Sequence, residues 1–260
     1  MEHQSLEKNR YRGMKRVILL SMILLPGLTL LLILFIGYHH FRNSIQTNTI
    51  ARINRVAEDH RLMIDEFLKE RKADLLFILK AYSFEDLSQP DKLSEVFENL
   101  KAQSDTFVDL GIFNAQGIHV AYQGPYKLTW KDYSEEPWFQ EVIKKGSYIS
   151  DIFLGFRRVP HFIIALAKEE GGNTWVIRAT IDTYLFTDLV KKVRIGRTGE
   201  AYLLNKEGVF QTERRSGGNL MAKDSEKILY PEVSDSVSTF IAADTGGDEY
   251  LYAAVWLKHK

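Results

Sequence analysis

Arg157, Arg158, Pro160 and His161 stand directly before an apolar run, Phe-Ile-Ile-Ala-Leu-Ala, at residues 162–167. A guanidinium is a planar fork of donors that matches a carboxylate through two parallel hydrogen bonds. An imidazole beside it would add a further donor. Alternate side chains of an extended chain share a face. Arg157, Val159, His161 and Ile163 therefore fall on one side, and Arg158, Phe162 and Ile164 on the other. Pro160 interrupts regular pairing, but at most one arginine can face inward, and His161 selects Arg157. Trp138, Tyr148, Tyr122 and Tyr126 are the aromatic side chains that could wall such a pocket. The opposing reading is a solvated turn with exposed cations and a structural histidine, because arginine is mostly exposed in folded proteins.

The elements that must position these residues follow from composition and period. The chain has 260 residues, with 34 basic and 34 acidic side chains. That balance leaves no global field to favour nucleic acid. Cysteine is absent, which removes disulfides, thiolate nucleophiles and zinc ribbons. Residues 17–38 are uncharged and long enough to cross a hydrocarbon core of about 30 Å. This run exceeds the apolar region of a signal peptide and leads to no small-residue cleavage site. It predicts an uncleaved transmembrane helix. Lys8, Arg10, Arg12, Lys15 and Arg16 precede it, while Arg42 is alone for some distance after it. The positive-inside rule then keeps residues 1–16 in the cytoplasm and sends the rest across the membrane.

From 39 to 82 the chain predicts one long signalling helix, free of Gly and Pro after Phe41. Its seam of Ile45, Thr49, Ile53, Val56, His60, Met63 and Phe67 suits either a loose homodimer or packing on the chain's own domain. A shorter helix is expected at 92–103. The period then changes to two, with strands at 107–113 and 118–124 around the turn Asn114-Ala115-Gln116-Gly117. The same unit recurs 91 positions later, at 201–204 and 209–212 around Asn205-Lys206-Glu207-Gly208, which hints at two related lobes in tandem. Between them lie an expected helix at 138–145, strands at 162–167 and 175–181, and a connecting helix at 182–193. Strands at 237–243 and 249–257 follow, and a further strand is expected beyond Lys260. The fold class is α+β: a transmembrane helix, a long stalk helix and two PAS-like lobes with antiparallel sheets. The lobes are placed at 83–193, distal to the membrane, and 194–260, proximal to it.

This order resembles the double Cache sensor domains of bacterial histidine kinases and chemoreceptors. The resemblance covers roughly residues 39–260. It rests on the anchor and long helix, on the two N-x-x-G hairpins, and on Tyr133-Ser134-Glu135-Glu136-Pro137-Trp138-Phe139. It also rests on Tyr148-Ile149-Ser150-Asp151, which adds Asp151 to the candidate ligand-binding residues. The family implies a small-molecule site in the distal lobe. Members resembling the amino-acid-binding subset carry an Arg two residues before the Trp, then a Tyr-x-Asp pair and a later Asp. Here Glu136, Phe153, Gly155 and Thr180 occupy those places. A free amino acid is therefore not the ligand that the motif implies.

The expectation is a ligand-sensing input module in the bacterial inner membrane, single-pass and dimeric through its long helix. Its partners would be the membrane, a second copy and a small, carboxylate-bearing molecule, with no cofactor, metal or nucleic acid. The rival is a membrane-anchored protein-binding or assembly factor; a solute-capturing transporter subunit is a third reading. The glycine-rich segment 195–199 lacks the Gly-Lys-Ser/Thr ending of a phosphate loop and reads as the opening turn of the second lobe. No nucleophile elbow, zinc-protease motif or kinase signature occurs, so no enzyme is expected.

Overall fold

The computed structural model describes residues 2–191, 199–225, 228–232, 234–244 and 246–258. The chain divides into two compact units, Met1–Arg52 and Ile53–Lys260. Helix α1 (Glu2–Ala81) supplies the described part of the first and opens the second. In the first unit the apolar stretch is helical, and its large side chains, such as Leu24, Ile33 and Phe35, are exposed. Among the described residues this is the one helix long and apolar enough to cross a membrane. Pro26 sits inside it, and Thr29 Oγ1 donates to the Pro26 carbonyl at 2.8 Å.

In the second unit α1 ends at Ala81, and two short helices follow, α2 (Phe84–Ser88) and α3 (Pro90–Gln103). Ser83 caps α2: its Oγ accepts from Asp86 N–H at 3.1 Å, and the Asp86 carboxylate accepts from Ser83 N–H at 3.0 Å. This reciprocal box satisfies two otherwise orphaned donors. Ser83→Ala is expected to cost about 1 kcal/mol, read as a lower unfolding midpoint with an unchanged far-ultraviolet spectrum. Pro90 opens α3 at a position where no amide donor is needed.

The centre is a five-stranded antiparallel sheet in the order β2-β1-β5-β4-β3. Its strands are β1 (Phe107–Phe113), β2 (His119–Gln123), β3 (Ser147–Ile149), β4 (Phe162–Glu170) and β5 (Asn173–Ile181). Helix α4 (Pro137–Lys145) precedes β3, and α5 (Thr183–Lys191) follows β5. The sheet is buried on both faces, and the two faces differ. Leu110, Ile112, Ile164, Leu166, Ile177 and Ala179 join Leu68, Leu75, Leu93 and Leu100 of the helices in one apolar core. Phe113, Ile163, Ala165 and Val176 point the opposite way and meet Tyr133, Trp138, Phe139 and Val142 of the segment that covers them. Glycines mark the tight connection after β4, where Gly171 and Gly172 both have positive φ.

Three turns share one geometry. Asn114 Oδ1 accepts from the amides of Gln116 and Ile118, Asn205 Oδ1 from those of Glu207 and Val209, and Asp244 Oδ1 from those of Gly246 and Asp248, all at 2.8–3.1 Å. A glycine with φ of 74–89° closes each, at Gly117, Gly208 and Gly247, where any Cβ would be strained. The first turn joins β1 to β2. The second joins residues that make only isolated bridges, Leu204 to Phe210 and Val209 to Lys223, so the strands expected at 201–204 and 209–212 do not form a regular ladder. The third joins β6 (Ser238–Ala243) to β7 (Glu249–Ala254), a separate two-stranded sheet. The turn expected at 195–199 and the end of the helix expected to reach 193 lie mostly outside the described residues.

The residues after 199 are tied to the rest of the unit by polar contacts. Ile152 N–H donates to Gln211 Oε1 at 2.8 Å, and Asn205 Nδ2 to Asp151 Oδ2 at 3.1 Å. Lys258 N–H donates to the Asp65 carboxylate on α1 at 3.0 Å, beside the buried pair of Arg61 and Asp65 at 3.1 Å. Thr239 meets Asn54 of the same helix.

Candidate ligand-binding site

The register of the central sheet decides which side chains gather under the cover. Asp109 pairs with Thr180, and Gly111 with Arg178; on the other side of β5, Thr180 pairs with Ile163 and Arg178 with Ala165. Gly111 also faces Tyr122 of β2, and Ala165 faces Tyr148 of β3. With a side-chain period of two, Asp109, Thr180, Arg178, Tyr122 and Tyr148 therefore share one face. That face is the one covered by residues from about Tyr126 to His161. A bulge between Ile112 and Phe113 brings His119 opposite Phe113, and the two rings stack with centroids 4.2 Å apart.

Gly111 makes room for this ring, because a Cβ there would collide with His119 Nε2. Gly111→Ala is expected to displace the imidazole and to lower stability by about 1–3 kcal/mol as an overpacking change. Equilibrium urea unfolding of the variant against the parent checks this.

Arg157 turns inward while Arg158, in a left-handed conformation with φ 56°, points to solvent. Arg157 Nη2 lies 2.5 Å from Asp109 Oδ2, with both side chains almost wholly buried. The pair lacks the alignment of a hydrogen bond. The same carboxylate oxygen accepts from Tyr122 Oη at 3.2 Å, and Tyr122 Oη accepts from Tyr126 N–H at 3.2 Å. The Arg157 guanidinium carbon stands 5.3 Å from the Tyr126 ring centroid. Arg178, 2 % exposed, is caged by Phe113, Tyr133 and Trp138, whose centroids lie 4.9–5.2 Å from its guanidinium carbon. Desolvated cation–π contacts of this kind contribute about 2 kcal/mol.

The electrostatics follow from burial. Burial lowers the pKa of Arg178, but a guanidinium stays protonated in proteins. His119 is pushed down to about 2, first by burial and then by the Arg178 charge, with the Leu128 carbonyl opposing. His161 is pushed down to about 4, chiefly by burial; its Nδ1 lies 2.8 Å from the Val159 carbonyl, so it donates there as the neutral ring. Burial and the Asp109 charge raise Tyr122. At neutral pH the buried charges of this face are Arg157, Arg178 and Asp109.

Six of the seven candidates, Trp138, Tyr148, Arg157, His161, Tyr122 and Tyr126, lie on or against this face. Asp151 instead accepts from Asn205. Asp109, His119, Thr180 and Arg178 were not among the candidates. The resemblance brings in Thr180 only as the place of a missing aspartate, and the carboxylate of this face comes from Asp109 on β1. A hint was present in the sequence: Asp109 and Arg178 are the charged residues inside two otherwise uncharged strands, where charge is rare unless paired. An open concavity of about 420 Å³, lined in part by Glu98, Lys101, Gln123 and Asp182, lies elsewhere and includes none of the seven. Among the described residues no group of His, Asp or Glu is arranged to hold a metal.

A long N-terminal helix on one face of an antiparallel sheet, with a covered polar site on the other, defines a sensor-type α+β domain. The chain belongs to the Cache domain family, whose double Cache model matches residues 41–259. Comparison with solved structures shows the same fold at low identity. The ligand-binding domain of the Campylobacter jejuni chemoreceptor Tlp3, in complex with 4-methylisoleucine, superposes with a TM-score of 0.61 at 12 % identity, covering 82 % of this chain and 88 % of that one. The extracellular domain of rpHK1S-Z16, named as a histidine kinase, gives 0.65 at 15 % identity over 82 % and 91 %. The ligand-binding domain of the Pseudomonas fluorescens chemoreceptor CtaA, in complex with L-isoleucine, gives 0.58 at 17 % identity over 82 % and 94 %. Comparison with curated proteins finds no match.

Proposed function

We propose that this protein is the membrane-anchored sensory input of a signalling receptor, such as a histidine kinase or chemoreceptor, and that a small molecule binds at the covered face of the central sheet. One observation carries the reading. Asp109 Oδ1, one His119 nitrogen (the other is left to the Leu128 carbonyl), Trp138 Nε1, Arg178 Nε and Nη2, and Thr180 Oγ1 are all buried without a hydrogen-bond partner in the protein. Each such group costs about 1–3 kcal/mol, and more where it is charged. A fold that gathers them on one face is organised to satisfy them with something else. Buried ionisable groups that converge on one site are a feature of functional sites.

The anchor would be residues 17–38, with the N-terminal tail in the cytoplasm and the sensor outside, and the long helix would pair two copies. The lobe at 83–193 would hold the ligand and that at 194–260 would lie nearer the membrane. Admitting a ligand requires the cover between Tyr126 and His161 to shift, so binding selects a more open or rearranged packing. The Asn205–Asp151 and Gln211–Ile152 bonds connect that cover to the later residues, and Asp65–Lys258 connects those to α1. A tenfold preference of the ligand for one arrangement supplies about 1.4 kcal/mol, enough to switch an equilibrium that is already poised.

The test is thermal unfolding of the full chain in nanodiscs against small carboxylates, amino acids, amines, purines and polyols. A ligand that binds only the native state raises the midpoint. The expected result is a shift that is reduced at least tenfold in apparent affinity by Thr180→Val and by Trp138→Phe, which keep shape and remove one donor each. A ligand whose affinity neither change alters would refute this location.

A further inference from the structure

We infer that the ligand is a small monoanion bearing one carboxylate and a neighbouring hydroxyl, rather than a zwitterionic amino acid or a dianion. This rests on the ligand site proposed above and deepens it. The first argument is charge. Two arginines and one aspartate leave a net charge of +1 on a face sealed from water, where an unbalanced charge is costly. The two histidines on this face add nothing at neutral pH, because burial holds both rings in the neutral form. The charges near its edge are in contact with solvent: Lys131 lies over the Phe156 ring, Asp151 accepts from Asn205, and Glu141 pairs with Lys145. A monoanion brings the buried sum to zero. A zwitterion leaves it at +1, and a dicarboxylate or phosphate monoester dianion reverses it.

The second argument is the pattern of donors and acceptors. Arg178 Nε and Nη2 and Trp138 Nε1 can only donate, and a carboxylate offers the acceptors they lack. Asp109 Oδ1 can only accept, and one nitrogen of neutral His119 must accept. A carboxylate cannot serve those atoms; a hydroxyl, with one proton, can donate to one of them, and Thr180 Oγ1 can be a second donor. The two kinds of group are adjacent, since Asp109 pairs with Thr180 and Arg178 lies two residues further along the same face. Two residues of strand span about 7 Å, so one compact molecule reaches both. Thr180 Oγ1, which can donate or accept, stands between them.

The experiment uses compounds matched in skeleton. The first set is 2-hydroxy-3-methylbutanoate, 2-oxo-3-methylbutanoate, valine and isopropylmalonate; the second is lactate, pyruvate, alanine and malonate. Each is titrated into the full chain in nanodiscs at pH 7 by calorimetry. The expected result is that, within a set, the hydroxy acid binds at least tenfold tighter than the other three, with affinity lowered by Thr180→Val. Asp109→Asn raises the buried charge to +2 and should move the preference to the dianion. Arg157→Gln lowers it to zero and should favour the amino acid, which poses the same question if Asp109→Asn does not fold. Tightest binding by the amino acid or the dianion, still weakened by Thr180→Val, would overturn the charge class while leaving the site. Binding that ignores Thr180→Val, or no binding by either set, would overturn the inference together with the site it rests on.

Discussion

Asp109→Ala is expected to lower the stability of the sensor domain by about 3–5 kcal/mol, the usual cost of removing one partner from a buried ion pair. The reason lies in what is left behind. Asp109 is fully buried and, among the described residues, is the carboxylate that faces Arg157 and, across the same sheet face, Arg178. Without it two guanidiniums remain in a sealed, largely aromatic environment, and Tyr122 Oη loses its acceptor. For a domain of this size the midpoint should fall by roughly 6–20 °C. The double variant Asp109→Leu/Arg157→Leu removes both charges of the pair and should recover much of the loss, because an apolar replacement of a buried pair is often neutral or better. A fall of less than 1 kcal/mol for Asp109→Ala in urea unfolding would mean that water reaches the pair. The same loss in the double variant would assign the cost to packing rather than charge.

Acidification from pH 7 to pH 5 is expected to destabilise the domain by about 4 kcal/mol through two histidines. In the unfolded chain each titrates near 6.5, while in the folded domain His161 titrates near 4 and His119 near 2. Between the unfolded and folded values the unfolded state binds the extra proton. Stability therefore rises with pH in that window and is lost as pH falls below about 6.5. Each ring contributes about 1.4 kcal/mol per pH unit there. The contribution is complete above the unfolded value. His161 stops contributing to the slope near pH 4, and His119 continues further. The carboxylates held low by hydrogen bonds, such as Asp86 and Glu170, lose their contributions only below about pH 4.5 and so do not confuse this range. Urea unfolding at half-unit steps measures the slope, and His161→Gln should halve it between pH 6.5 and 5. A flat profile over that range would show that both rings are solvated.

Both effects come from one arrangement, in which a sheet carries apolar side chains to its helices on one face and charged side chains to a cover on the other. The alternation is written into the strands. Leu110 and Ile112 of β1, with Ile177 and Ala179 of β5, go one way, while Asp109 and Arg178 go the other. Arg157, rather than Arg158, does turn inward, but not by that alternation: residues 155–157 form a 3-10 turn and Arg158 is left-handed, so the extended chain expected there is absent.

Local periods and turn chemistry were enough to determine much of this protein. The apolar run of residues 17–38 has the length of a membrane span, and the uninterrupted helix after it follows from the absence of Gly and Pro. The Asn-x-x-Gly turns close through bonds within five residues, so they form as read, and a third with Asp244 obeys the same rule. Arg157 and His161 were legible as candidates because a cation and an imidazole stand directly before an apolar strand. Tertiary structure alone decided the rest. Asp109 and Arg157 are 48 positions apart, and nothing in either neighbourhood shows that they pair; the register of β1 on β5 and the turn before β4 bring them together. The bulge after Ile112 carries His119 across Phe113, and Gly111 leaves the space it fills. The resemblance makes Asp151 a ligand-binding candidate, and only the fold shows that one of its oxygens accepts from Asn205, 54 positions later. Contacts within a few residues are governed by local geometry, whereas partners across a sheet depend on register and on which face the cover seals, and those are properties of the folded whole.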